Sequence, residues 1–180
     1  MPRQRRYVVT GETFHVTNRG VDRRRIFFKN AQYAAFLRLA AAGKRRFGVS
    51  VFGYCLMPNH FHLLLRPDSE GALSAYLHWV QGNYARDLRA ESNTLGQGHV
   101  FQQRFWSGPI EDGLHLLNVL RYVEANPVAG GMVERAEDWR WGSLRQRQSR
   151  PRVLLDRLPI ELPGNWSTWV NTPPHPAEGD

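Results

Sequence analysis

Two groups of residues in this chain have types and spacing suited to chemistry. One is His60 and His62 in MPNHFHLLL; the other is Tyr122 and Asn126 in RYVEANPV. Side chains alternate faces along a strand, so His60 and His62 project the same way while Phe61, Leu63 and Leu65 face the opposite side. Two imidazoles aimed at one point suit a divalent metal, but they do not complete a site, and a third ligand has to come from elsewhere. Taken alone, an HxH pair reads more readily as two satisfied sheet residues.

The second group supplies what the first lacks. Leu116, Leu117, Leu120 and Val123 recur as the apolar stripe of a helix, and Tyr122 lies to one side of it, where packing does not call for an aromatic. Asn126 follows by about one helical turn, so its amide oxygen is a candidate third ligand, although Pro127 is expected to push it out of regular helix. The plain alternatives are an amphipathic aromatic at a helix edge and a helix stop before proline. His15 and His115 are candidates for the layer behind the ligands, His15 alternating outward on a first strand and His115 about two turns ahead of Tyr122.

These residues need a scaffold, and the hydrophobic pattern predicts one. Residues 7–17 alternate as a strand up to the turn Asn18-Arg19-Gly20, and Asn30 is placed to cap a helix over 31–47 that stops at Gly48. Residues 49–57 and HFHLLLR, separated by Pro58-Asn59, read as two adjacent antiparallel strands. A second helix runs from Gly71 to about Ala90, a short fourth strand lies in FQQRFWSGPIE, and a third helix covers about 112–125. This order predicts an α+β, ferredoxin-like antiparallel sheet with helices packed on it. The domain is expected over residues 1–150, with 151–180, rich in proline, as a poorly ordered tail whose Trp166 and Trp169 can still dock.

Composition points to the partner. The 180 residues carry a formal charge of +8, and all 24 cationic side chains except Lys29 and Lys44 are arginine. Guanidinium forks fit phosphates and guanine edges, so the clusters Arg3, Arg5 and Arg6, then Arg23, Arg24 and Arg25, then Arg140, Arg145, Arg147, Arg150 and Arg152, fit a polyanion. Gln102, Gln103, Arg104 and Trp106 add donors and a stacking platform of the kind single-strand binders use, while Phe105 can equally be core. The lone Cys55 leaves no internal disulfide and no multi-cysteine zinc knuckle, and no run approaches the ~18 apolar residues of a membrane span.

MPNHFHLLL and the downstream RYVEANPV, in order with FHVTNRGVDRRRIFF, GHVFQQRFWSGPIED and WRWGSLR, resemble the single-tyrosine HUH transposases, and especially the REP-associated tyrosine transposases, over roughly residues 7–145. The resemblance implies that His60 and His62 are the metal-holding pair, Asn126 the polar ligand and Tyr122 the nucleophile. It implies cutting and rejoining of single-stranded DNA beside hairpin-forming repeats through a 5′-phosphotyrosine, with Mg²⁺ or Mn²⁺ as cofactor. A bacterial, cytoplasmic and nucleoid-associated protein follows from the same likeness, with a monomer favoured over a dimer.

Two other classes compete. A non-catalytic module for single-stranded nucleic acid on the same scaffold would bind equally well without metal or Tyr122. A zinc hydrolase fits worst, because His78, His99 and His175 have no ligand spacing and no HExxH occurs.

Overall fold

The computed structural model describes residues 10–92, 98–149 and 154–172. Arg3, Arg5, Arg6, Arg150, Arg152 and His175, together with the expected strand positions 7–9, lie outside these. Four strands, β1 (Thr13–Arg19), β2 (Val49–Met57), β3 (His60–Pro67) and β4 (Trp106–Ile110), form one sheet in the order β2-β3-β1-β4. All three pairings are antiparallel. Helices α1 (Asn30–Phe47) and α2 (Ala72–Glu91) make the crossovers between β1 and β2 and between β3 and β4. This is the ferredoxin-like arrangement that the order of elements predicts.

The boundaries follow from local chemistry. Gly48 closes α1 in the left-handed region at φ 62°, where its N–H reaches Lys44 O. At the other end the expected cap shifts by one residue. Asn30 is the first helical residue, and the Gln32 side-chain oxygen accepts from the Phe28 and Lys29 amides, 2.7 and 3.2 Å away.

Sequence periodicity does not show that the sheet is covered on both faces. Phe14, Val16, Phe61, Leu63 and Leu65 pack with Tyr33, Phe36, Tyr76, Val80 and Tyr84 of α1 and α2. On the other face, Phe52, Cys55, Met57, Leu64 and Ile110 meet Leu116, Leu120 and Val123 of α3 (Gly113–Ala129). A strand buried on both sides loses clean alternation, which is why β3 reads as HFHLLLR. Gly53 permits the close approach of α3, since a Cβ there would stand 2.5 Å from Leu120 Cδ1.

Two expectations are corrected. α3 runs through Pro127 to Ala129, so Asn126 remains helical. The proline sits in the last turn, where its missing N–H removes a single ladder bond while Gly130 N–H still reaches Asn126 O at 2.8 Å. Leu117 is only half-buried, leaving Leu116, Leu120 and Val123 as the packed stripe.

The second correction concerns the expected tail. Among its described residues, Leu154, Leu155, Trp166 and Val170 are buried, the last two on the α3 face. Here α4 (Ser143–Gln148) and α5 (Trp166–Asn171) converge on Glu124 of α3. Its carboxylate, 2% exposed, accepts from Ser143 Oγ at 2.5 Å, Arg147 Nε at 2.7 Å and Trp166 Nε1 at 2.7 Å. A buried carboxylate demands this many donors, and long-range partners supply them. Arg147 therefore belongs to the interior, with its guanidinium also donating to Phe52 O, and not to the basic surface.

Candidate active site

On β1 and β3 the register sets Thr17 opposite His62, Arg19 opposite His60 and His15 opposite Leu64. Paired residues share a face, so His15, Thr17, His60 and His62 all lie on the side that α3 covers. The face that alternation leaves outward on β1 is thus an interior face. His15 Nε2 stands 2.9 Å from His62 Nδ1, with the rings stacked at 5.1 Å between centroids. His60 and His62 are perpendicular, also 5.1 Å apart, and His60 Nδ1 lies 2.7 Å from Asn59 Oδ1.

α3 brings the remaining two residues. The ring of Tyr122 meets His62 edge-on at 5.5 Å and His15 at 6.1 Å, yet 56% of Tyr122 stays exposed. One turn on, Asn126 is placed beside the side chain of His60 and raises its affinity for a proton. His115 is not part of this group. It sits in the first turn of α3, where its N–H is capped by Asp112 and its Nδ1 accepts from the Glu111 amide.

Burial sets the charge state of the cluster. Desolvation, with smaller contributions from His15, His60 and Arg19, pushes His62 down to about 3, and desolvation alone takes His15 down to about 4. His60 is lowered too, first by desolvation, with the neighbouring Asn126 amide opposing and Arg19 adding. These imidazoles are therefore neutral at pH 7, the form in which a ring nitrogen can bind a metal. Both Nδ1 atoms already have neighbours, leaving Nε2 of each ring as the remaining donor atom. Among the described residues no group of three or more His, Cys, Asp or Glu side chains is arranged to hold a metal. An ion here would thus depend on two imidazoles, Asn126 and oxygens brought by water or ligand.

A profile described as "Transposase IS200 like" matches residues 8–126. The chain belongs to the IS200-like transposase family. The matched span contains His60, His62, Tyr122 and Asn126. A Haemophilus influenzae protein, provisionally named a REP-associated tyrosine transposase, is 30% identical over 97 residues, which are 49% of this chain and 55% of that relative. The chain thus spans about half the length of that relative. A solved structure of a REP-associated tyrosine transposase bound to a REP hairpin superposes with TM-score 0.69 at 20% identity, over 90% of this chain and 95% of that one, and so shares the fold. A provisionally assigned transposase from Deinococcus radiodurans R1 reaches TM-score 0.47 at 16% identity, over 69% and 96%.

Around the cluster of this transposase-family chain, Trp106 pairs with Thr17 on the same face of the sheet and meets His15 edge-on at 5.5 Å. Its indole leans over Gly108, where a Cβ would stand 2.6 Å from the ring, and 56% of Trp106 is exposed. Beyond Trp106 a groove of about 1280 Å³ runs between α2 and residues 99–107, with Arg89, Arg104, His78, His99, Gln102 and Gln103 among its walls. Phe105 turns inward as core. Arg23, Arg24 and Arg25 are exposed in the turn after β1, Arg140 is exposed over the Trp141 ring at 5.0 Å, and Arg145 is exposed on α4.

Sequence reasoning missed Asn59 and Glu124. The signal for Asn59 was its place beside the first histidine at a hairpin tip. Glu124 stood out only as an acid beside the apolar stripe of α3.

Proposed function

We propose that this protein cuts and rejoins single-stranded DNA next to a hairpin. Tyr122 is the nucleophile, and His60, His62 and Asn126 hold a divalent ion. One observation carries the reading: an exposed phenol stands edge-on to His62, and Asn126, one turn later on the same helix, is placed beside His60. Nucleophile and ligands thus sit on two rigid elements, a helix and a central strand, as in-line attack on a phosphodiester requires. The neutral state of the histidines and their engaged Nδ1 atoms fit an ion bound through Nε2.

The phenol oxygen of Tyr122 bonds to phosphorus as the P–O3′ bond breaks, and the 3′ oxygen leaves as a hydroxyl, with the phenol proton passing to it through solvent. The resulting 5′-phosphotyrosine retains the ester bond, so a 3′-hydroxyl can reverse the step and join strands. When bound, the ion supplies positive charge to the non-bridging oxygens. Two imidazoles favour Mn²⁺ and cellular abundance favours Mg²⁺. Trp106 supports the DNA by stacking a base, and the groove with Arg89 and Arg104 receives the strand that continues past it. The solved relative bound to a REP hairpin supports a hairpin as the structured part of the substrate.

The test is a hairpin oligonucleotide with a single-stranded 5′ extension, labelled at either end. The expected result is a protein-sized shift of the 3′ fragment, free shortened 5′ product, and no adduct with Tyr122→Phe, which keeps binding. Adduct on the upstream fragment, wild-type cleavage by Tyr122→Phe or efficient cutting of full duplex would overturn the reading.

A further inference from the structure

Asn59 sits at the tip of the β2–β3 hairpin, and its amide makes two contacts that constrain each other. Nδ2 lies 3.2 Å from the Arg23 carbonyl oxygen, and Oδ1 lies 2.7 Å from His60 Nδ1. A backbone carbonyl can only accept, so the amide NH₂ must face Arg23 and the amide oxygen must face His60. That oxygen also only accepts. His60 Nδ1 therefore carries the hydrogen, and in a neutral imidazole Nε2 is left with its lone pair. The tautomer of His60 is thus set by a carbonyl in the preceding loop.

The loop has its own need for Asn59. Asp22 and Arg23 are both in the left-handed region, φ 52° and 59°, and neither is glycine. The turn hangs from the hairpin tip by Gly20 N–H to Asn59 O (2.9 Å), Ile26 N–H to Pro58 O (2.8 Å) and Phe27 N–H to Pro58 O (3.0 Å). The Asn59 side chain adds the contact to Arg23 itself. Glycine at position 20 is required by the same closure, since a Cβ there would stand 2.2 Å from Arg24 O.

We infer that Asn59 is a positioning residue with two loads, holding the turn at Asp22 and Arg23 in its left-handed form and holding His60 as the Nδ1–H tautomer. It thereby ties the exposed arginines to the histidine. The inference that this serves a metal rests on the proposed function, whereas the tautomer and the turn do not.

The experiment compares wild type, Asn59→Ala and Asn59→Asp, each checked for folding by circular dichroism. Aspartate keeps the acceptor toward His60 and loses the donor toward Arg23, so it separates the two loads. Nitrogen-15 NMR of the histidine rings reads the tautomer, hydrogen exchange reads the Arg23 and Arg24 amides, and electron paramagnetic resonance of free Mn²⁺ reads metal affinity. The alanine variant should lose the pure Nδ1–H tautomer of His60, exchange those amides about fivefold faster, as expected for one neutral hydrogen bond, and bind Mn²⁺ about tenfold more weakly. The aspartate variant should recover the tautomer and the Mn²⁺ affinity but keep the fast exchange. An unchanged tautomer and slow exchange in Asn59→Ala, or an aspartate variant that recovers both or neither, would overturn the inference. Wild-type protein that binds no Mn²⁺ would instead sink the metal reading, leaving the tautomer and exchange results to decide on Asn59.

Discussion

Removing the Glu124 carboxylate should cost more stability than removing any exposed charge of this protein. The side chain is fully buried and receives Ser143, Arg147 and Trp166, while the Arg147 side chain is itself only 10% exposed. Glu124→Ala leaves that guanidinium without its counter-charge in an apolar layer, at a cost of about 3–5 kcal/mol. For a chain of this length each kcal/mol lowers the melting temperature by about 2–4 °C, so the expected fall is roughly 6–20 °C. Trp166→Phe removes one charge-assisted bond and should cost about 1.5–3 kcal/mol. The double variant Glu124→Leu with Arg147→Met removes both charges and should recover most of the loss, because a well-packed apolar pair often equals a buried ion pair. Thermal melts followed by circular dichroism measure all three. A melting point for Glu124→Ala within about 2 °C of wild type, under roughly 1 kcal/mol, would refute the claim that this knot holds α3. The point bears on function, because Tyr122 lies two residues away on the same helix.

Further outcomes are expected. His62→Ala or EDTA should abolish cleavage of the labelled hairpin while leaving binding nearly intact, and full activity in EDTA would rule out a metal in the cleavage step. In EDTA, stability should fall with acidity: His15 and His62 have folded values below the ordinary 6.5, so the unfolded chain binds more protons in that window. The loss begins as pH drops through 6.5 and continues toward about 4, by about 1.4 kcal/mol per pH unit for each histidine kept neutral; a melting temperature flat over that range would contradict it. Replacing Arg23, Arg24 and Arg25 by glutamine should lower the salt dependence of single-strand binding by about 0.7 in log–log slope for each phosphate no longer neutralised, and an unchanged slope would remove the turn from the DNA surface.

Several parts of the site were legible because they depend on neighbours in the chain. The shared face of His60 and His62 follows from the strand period, and the distance from Tyr122 to Asn126 follows from the helical one. The extent of α3 was misread because a proline near a C-terminus costs one bond, whereas one in mid-helix breaks the helix. The loose-tail expectation failed for residues 154–172 because proline content describes local backbone and says nothing of Trp166 reaching Glu124 across 42 positions.

The sequence by itself determined the element order, the paired histidines, the off-stripe tyrosine and the family. Those are statements about periodicity and short motifs. Only the tertiary structure decided that α3 lies on the histidine face of the sheet, that His15 turns inward to meet His62, that Asn59 joins a strained turn to His60, and that Arg147 is a core residue and not a surface one. Each of these depends on which distant groups must satisfy a buried polar atom, and that requirement arises only once the chain has closed around it.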